Sequence, residues 1–359
     1  MPLWEVIRKQ LMPAILGREV SDVEAELMSF PVRLGGLALQ NPSMAEERFR
    51  ISRRAGEVLV DSICSGDPLN YDEHQDHVAR VLKEEKKARE ERQARDAEVV
   101  ISRLQPNQQR ALERTKGESQ WLSVLPLKSD GFDLSAAQFR DALALRYGHP
   151  PLHLPGNCDG CGAEFDLSHA LNCKKGGRVK RGHDKVRDAV ADLGDLAWGG
   201  VTIEPVMREA SDSHSALVAD IKVNGVWESG RPAFFDNRIV NADATSYLSR
   251  DWPSIAQTAA NEKHAKYDQA AEDLRGSFSP LVCSCDGALH REFHSFIKRA
   301  ARTLADKWSR SYAQVLGWAR VKIQFAIIRA VSLRLRGARK TVRGMGLEDG
   351  AGLPPLNEV

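Results

Sequence analysis

Residues 157–173 read NCDGCGAEFDLSHALNC, and no other stretch limits the folding of this chain so tightly. The pattern is Cys158-x2-Cys161-x7-His169-x3-Cys173. A tetrahedral zinc ion takes four thiolate or imidazole ligands at about 2.0–2.3 Å. The Cys-x-x-Cys turn supplies two thiolates from one loop, and Gly160 and Gly162 let that loop bend. In LSHALNC, His169 and Cys173 are four apart, so one helical turn puts both on one face. Four protein ligands leave no open position for water, so this zinc is expected to be structural rather than catalytic. Six cysteines in 359 residues, three of them here, indicate reduced thiols and metal rather than disulfides. A nuclear or cytoplasmic location follows. Cys64, Cys283 and Cys285 read as small core residues.

Charge is unevenly spread around this cluster. The net charge is only +2, but residues 174–187, KKGGRVKRGHDKVR, hold seven Lys/Arg and one acid. Lys174, Lys175, Arg178, Lys180, Arg181, His183, Lys185 and Arg187 are therefore candidates for contact with a phosphate backbone. Residues 320–343 carry eight Lys/Arg and no acid. The plain alternative is that both stretches are solvated helix faces. No apolar run reaches the roughly 20 residues that span a bilayer, and the N-terminus lacks the parts of a signal peptide.

Periodicity places most elements. Residues 30–42 are turn-rich, and 44–63 read as helix. Residues 66–75 look like a linker, and 77–103 like a charged spacer helix with KEEKKAREERQARD at its centre. An amphipathic helix is expected over 135–147, with Ser135 as N-cap, Gly148 as stop, and Phe139, Leu143 and Tyr147 on one face. Another is expected over 181–196, with Val186, Val190 and Leu193 inward. GVTIEPVMRE, ALVADIKVNG, RPAFFDNRIVNA and FSPLVCSC have strand grammar. Residues 258–274, 290–307 and 313–336 read as helices, and the tail from Gly344 as disordered.

Acids stand where core strands should be apolar. Asp220 interrupts ALVADIKV, and Asp236 follows two phenylalanines in AFFDNRIV. A buried acid needs a partner, a hydrogen bond or a metal. Two on neighbouring strands can share Mg²⁺, which takes carboxylate, water and phosphate oxygens. Such an ion can activate a water and neutralise a scissile phosphate. Glu204 is a candidate third donor. Arg238 shares a strand face with Asp236, either to stabilise transition-state charge or to pair with that acid. Lys263 and Lys266 lie on the next helix. The plain alternative for each acid is a strand-end or salt-bridged residue.

The order of these parts resembles the C-terminal region of non-LTR retrotransposon reverse transcriptase polyproteins. There, a CCHC zinc knuckle and a basic helix precede two acids about 15 residues apart. NEKHAKYD, residues 261–268, is similar to the Lys-rich helix that follows the second acid in that family. FPVRLGGLALQNP, residues 30–42, is similar to the segment leading into the polymerase thumb. The resemblance touches 30–42 and then runs from 121 to 336. It implies an α/β chain with five parts. These are a mainly helical thumb-like remnant at 1–70, a charged helical linker at 71–118 and a zinc-knuckle segment at 119–178. A restriction-like endonuclease core follows at 179–340, with a mixed sheet of about four strands, flanking helices and C-terminal helices, and then a disordered tail at 341–359. The implied activity is Mg²⁺-dependent nicking of one DNA strand, with DNA and the element's RNA as partners and no membrane. Asp220 and Asp236 become the ligands of that ion. His183 or Asp188 takes the polar position of the first core helix, and Lys263 or Lys266 stands near the attacking water. Two positions depart from the pattern: Ala219 replaces the usual Pro before the first acid, and Asp236-Asn237-Arg238 replaces Asp/Glu-x-Lys. Arginine stays protonated, so Arg238 fits charge stabilisation better than base catalysis. No Tyr-x-Asp-Asp-type acid pair occurs, so the chain has no polymerase active site and reads as a C-terminal fragment or a relic gene. Two other readings compete: a non-catalytic nucleic-acid-binding remnant, and a zinc-stapled protein-interaction module.

Overall fold

The computed structural model describes residues 3–42, 45–211 and 215–340 of the chain. The tail expected to be disordered lies outside them. The chain divides into two compact units, Met1–Gln109 and Arg110–Val359.

Unit 1 is helical: α1 (Leu3–Val6), a π-helical turn at Ile7–Leu11, α2 (Met12–Leu16), α3 (Asp22–Ser29), α4 (Ala45–Ala55), α5 (Glu57–Ser65) and α6 (Tyr71–Ser102). Ser21 and Glu24 form a capping box that starts α3. The turn-rich piece is a loop around one 3-10 turn, Val32–Leu34. α6 starts earlier than its charge pattern predicts. Asn70 accepts the Glu73 N–H and caps the helix, which shortens the expected linker. α6 is also not a bare spacer: Val81, Ala97 and Val100 are buried, and Glu85 pairs with Arg54 of α4.

α7 (Pro106–Thr115) crosses the division between Gln109 and Arg110, and unit 2 is a mixed α/β assembly. α8 (Ala136–Arg146) begins at a Ser135–Gln138 capping box and ends before Gly148, which has φ +67°. Leu143 and Tyr147 are buried, and Phe139 lies edge-on to Trp121 at 5.8 Å. Asp141 and Arg146 are buried too, so α8 is enclosed on more than its apolar face. Asp141 binds Arg336 (2.5 Å) and Ser332 (3.1 Å). α9 (Leu167–Asn172) belongs to the cysteine segment, and α10 (Arg178–Trp198) buries Val186, Val190 and Leu193 as its periodicity predicts.

Two of the expected strands split. GVTIEPVMRE forms β1 (Thr202–Ile203) and β2 (Val206–Arg208), broken at Glu204, whose φ is +50°, and at Pro205, which has no N–H to donate. ALVADIKVNG forms β3 (Leu217–Val218) and β4 (Ile221–Asn224), broken at Asp220. β5 (Pro232–Val240), α11 (Trp252–Asp273), β6 (Ser277–Ser284), α12 (Arg291–Trp308) and α13 (Tyr312–Arg336) follow. α11 starts earlier than expected because Asp251 caps it and Pro253 fits its first turn.

The main sheet has the order β1-β4-β5-β6, and β2-β3 form a separate pair. β4 and β5 are antiparallel, while β5 and β6 are parallel with α11 as the crossover. One face packs on α10, α12 and α13 through Ile221, Phe235 and Leu281 against Val190, Phe296 and Ile327. α11 covers the other face, with Phe234 and Phe278 against Tyr267 and Ala270. β5 and β6 are thus covered on both faces, which explains their near-continuous apolar runs. Each fully buried Phe, Ile or Leu stabilises by about 1.5–3 kcal/mol. That packing holds Asp236 and Asn237 in the middle of β5. No helix of the described residues is long and apolar enough to cross a membrane.

Candidate metal centre and acidic site

The ligand atoms of Cys158, Cys161, His169 and Cys173 all lie within 4.8 Å of one another. Cys173 Sγ is 3.9 Å from both Cys158 Sγ and Cys161 Sγ, and His169 Nε2 is 3.4 Å from Cys161 Sγ. A tetrahedron with zinc–ligand bonds of about 2.0–2.3 Å has edges of about 3.3–3.8 Å. The four residues could therefore hold a metal ion, and their spacing is compatible with zinc. Among the described residues, no other group of three or more His, Cys, Asp or Glu side chains converges this way.

Local backbone builds this site. Gly162 has φ +78°, and its N–H donates to Cys158 O (2.9 Å) to close the loop. Asp166, which the spacing did not single out, caps α9 by accepting the His169 N–H (2.6 Å). Burial pushes the Cys158 thiol up. The Gly160 and Cys161 amides and the His169 ring outweigh burial and bring it to about 6. That favours the thiolate a metal needs. Of the remaining cysteines, Cys283 and Cys285 are buried as expected. Cys64 is exposed, which overturns its assignment to the core: it sits on α5, a helix with no buried residue.

Asp220 and Asp236 come together from neighbouring strands. Ile221 faces Phe235 across the antiparallel pair, so one further step brings Asp220 opposite Asp236. The Asp220 N–H donates to Phe235 O (3.0 Å). Its carboxylate accepts the Asn237 N–H (2.7 Å) in place of a backbone carbonyl, which ends the ladder there. His183 of α10 brings Nε2 to 3.1 Å from the same oxygen, and Asn237 Nδ2 donates to His183 O (3.1 Å). Asp236 is buried. It accepts the Tyr267 hydroxyl (2.7 Å) and is ion-paired with Lys263, both from α11.

The two acids act on the same neighbours. Burial lowers the His183 pKa, but the Asp220 hydrogen bond and the charges of Asp220, Asp236 and Asp184 raise it above its ordinary value. Burial raises the Tyr267 phenol, and Asp236 and Asp220 raise it further, so it stays a hydroxyl donor.

The other predicted members divide. Lys263 is in the site. Lys266 is exposed and donates to the Tyr267 hydroxyl (2.9 Å), lying 4.6 Å over that ring. Arg238 does share the face of Asp236, but it pairs with Glu262 of α11 instead. Glu204 is not a third donor: it is exposed and held by Arg187 (2.8 Å), because the left-handed turn before Pro205 faces it towards α10. His183, not Asp188, takes the polar position of α10 beside the acids; Asp188 is exposed and pairs with Arg187 (2.9 Å). Tyr267 was missed as a site residue. Its signal was the four-residue interval from Lys263, which puts both on one helix face.

The two basic stretches also differ. In 174–187, Lys174, Lys175, Lys180, Arg181 and Lys185 are exposed. Arg187 is engaged by Asp184, Asp188 and Glu204, and Arg178 donates to Ala338 O (2.8 Å). In 320–343, Arg334 and Arg339 are buried, and Arg329 and Arg336 are turned to Asp133 and Asp141. These four arginines are therefore internal or paired, while Lys340 of the same stretch is exposed.

Among the described residues, these features define a helix-rich α/β chain with one four-ligand Cys/His cluster and a pair of facing acids, Asp236 buried and Asp220 partly exposed. Searches against protein-family models and against curated proteins find no match for the sequence.

Proposed function

We propose that this is a retroelement-type nucleic-acid-binding protein that nicks one DNA strand at the Asp220/Asp236 site with Mg²⁺. The Cys158/Cys161/His169/Cys173 cluster holds a structural zinc ion in this reading. Its main support is the meeting of Asp220 and Asp236 from facing strand positions, beside Lys263, Tyr267 and His183. Five exposed cations border the same helix that supplies His183. They match the charge of a phosphate backbone.

The donor set suits a hard cation, because it offers carboxylate oxygens and leaves places for water and phosphate. Asp220 and Asp236 would hold the ion, which would supply Lewis-acid charge neutralisation and an acidified water. The chain's own residues do the rest. Tyr267 and Lys263 fix the Asp236 carboxylate, and His183 and the Asn237 N–H fix that of Asp220. Lys263 places a positive charge where anionic phosphate would approach. Lys174, Lys175, Lys180, Arg181 and Lys185 bind the backbone.

One observation favours a second reading, a non-catalytic binding remnant. Both carboxylates already have protein partners: Asp236 has the Tyr267 hydroxyl and the Lys263 charge, and Asp220 has the Asn237 N–H. Supercoiled plasmid separates the two readings. Nicked circles that require Mg²⁺ and vanish in Asp236→Ala, with DNA binding retained, support the nuclease. Salt-sensitive binding with no nicking by the wild-type protein supports the remnant.

A further inference from the structure

The residues after α13 are held against the cysteine loop by contacts that neither the metal nor the acidic site requires. Asp159, inside the Cys-x-x-Cys turn, accepts the backbone N–H groups of Arg339 (2.7 Å) and Lys340 (3.1 Å) with one carboxylate oxygen. The Arg339 side chain is buried, with its guanidinium 4.7 Å over the Phe165 ring. It donates to Ala170 O (3.3 Å) on α9, to Gly337 O (3.2 Å) and to Arg334 O. From the other side, Arg178 Nε reaches Ala338 O (2.8 Å).

Glycines make this approach possible. A Cβ on Gly160 would lie 2.7 Å from Arg339 Cβ, and one on Gly176 only 2.6 Å from Arg339 Cα. Gly160 has no positive φ, so its small size serves this contact; the bend of the loop falls on Gly162. The Asp159 carboxylate, the Phe165 face and the Ala170 carbonyl all belong to the segment that the four ligands would close around a metal. Without that closure, only short elements hold these three groups in register.

We propose that the cysteine loop is a built arginine-binding site, filled by the chain's own Gly337–Lys340 strap, and that strap docking and metal binding are coupled. This rests on the metal reading above. The loop takes an extended segment with one arginine, recognised by a paired backbone clasp, an aromatic face and a carbonyl. Coupling of this kind is reciprocal: whatever the strap adds to metal affinity, the metal adds to strap affinity. A metal-loaded loop therefore pins the end of α13, and a metal-free loop releases it.

Trypsin digestion of the full-length protein tests this, because the protease must take a guanidinium into its own pocket and Arg339 is buried. Cleavage after Arg339, followed by mass spectrometry against cleavage after exposed Lys128, should be at least about tenfold slower in zinc-loaded than in chelated protein. Release of zinc to a colorimetric chelator should be about tenfold faster in Arg339→Lys and unchanged in Lys340→Ala, since only the backbone of Lys340 is used. Equal Arg339 cleavage with and without chelator, or wild-type zinc release in Arg339→Lys, overturns the coupling. Elemental analysis separates this from the metal reading: purified protein that binds no zinc overturns that reading, whereas zinc-bound protein with an unprotected Arg339 overturns the coupling alone. The digestion needs no variant, so a misfolded Arg339→Lys cannot mask the result.

Discussion

The cysteine cluster and the acidic pair solve opposite problems. Cys158, Cys161, His169 and Cys173 lie within one short segment, and their thiols and imidazole have few protein partners other than each other. Asp220 and Asp236 are brought together by a sheet and two helices, and protein donors already surround them. The first gathers four ligand atoms that could hold a metal ion. The second is held by protein partners, although Asp236 Oδ2 has the Lys263 ion pair and no hydrogen bond and Asn237 Oδ1 has no hydrogen-bond partner. The first site is built from local spacing, and the second from the packing of distant segments.

Removing a metal ligand should break this contrast most. Cys173→Ser should lose zinc and destabilise unit 2 by at least about 3 kcal/mol, roughly 6–12 °C in thermal unfolding. A chelator should lower the melting temperature of the wild type by a similar amount and leave the variant unchanged. A wild type indifferent to chelator would mean that packing holds the loop.

Lys263→Met comes next, because it leaves the buried Asp236 carboxylate without its cation at a cost of about 3 kcal/mol. If the pair binds Mg²⁺, millimolar Mg²⁺ should restore part of that loss by mass action, and Ca²⁺ or spermidine should be compared. No recovery in calorimetry with Mg²⁺ would favour the remnant reading. Tyr267→Phe removes one hydrogen bond to Asp236 and should cost about 1–2 kcal/mol in urea unfolding. A loss near zero would show that Lys263 alone suffices.

The smallest effect concerns a pair that serves neither site, and it calibrates the others. His264 places Nδ1 on Asp268 (2.8 Å) and Nε2 on Glu292 (3.2 Å), so both nitrogens meet carboxylates only as imidazolium. Burial lowers its pKa, but Asp268 and Glu292 raise it above its ordinary value. The folded pKa lies above the unfolded one. The pair therefore stabilises fully below about pH 6.5 and fades as pH rises through the folded value. The wild type should lose about 1–3 °C relative to His264→Gln between pH 6 and pH 8.5. An equal change in both proteins would assign the pH dependence elsewhere.

The two basic stretches show where sequence reading stops. Both are dense in Lys and Arg, and composition treats them alike. The first holds four lysines beside three arginines, and all four lysines are exposed. Arginines dominate the second, and their long stems and forked donors are drawn to Asp133, Asp141 and backbone carbonyls. Nothing in the order of residues names those partners, because Asp141 and Arg336 are almost two hundred residues apart. Glu204 was misread for the same reason. It looked like a strand acid, and only the turn before Pro205 sends it to Arg187.

The sequence by itself determined what depends on nearest neighbours. It gave the four-ligand cluster by spacing, the inward faces of α10 by period, the capping of α8 by Ser135, and the anomaly of two acids in apolar strands. The tertiary structure alone decided what depends on closure over long distances. It set Asp220 opposite Asp236, chose Lys263 and Tyr267 as the partners of Asp236, buried or paired four arginines of one basic stretch, and laid Arg339 across the cysteine loop. Caps, turns and metal spacings act within a few residues and leave a mark in the local order of the chain. Ion pairs, buried arginines and facing strands form only when distant segments pack, and the packing selects which of several equivalent charges meet.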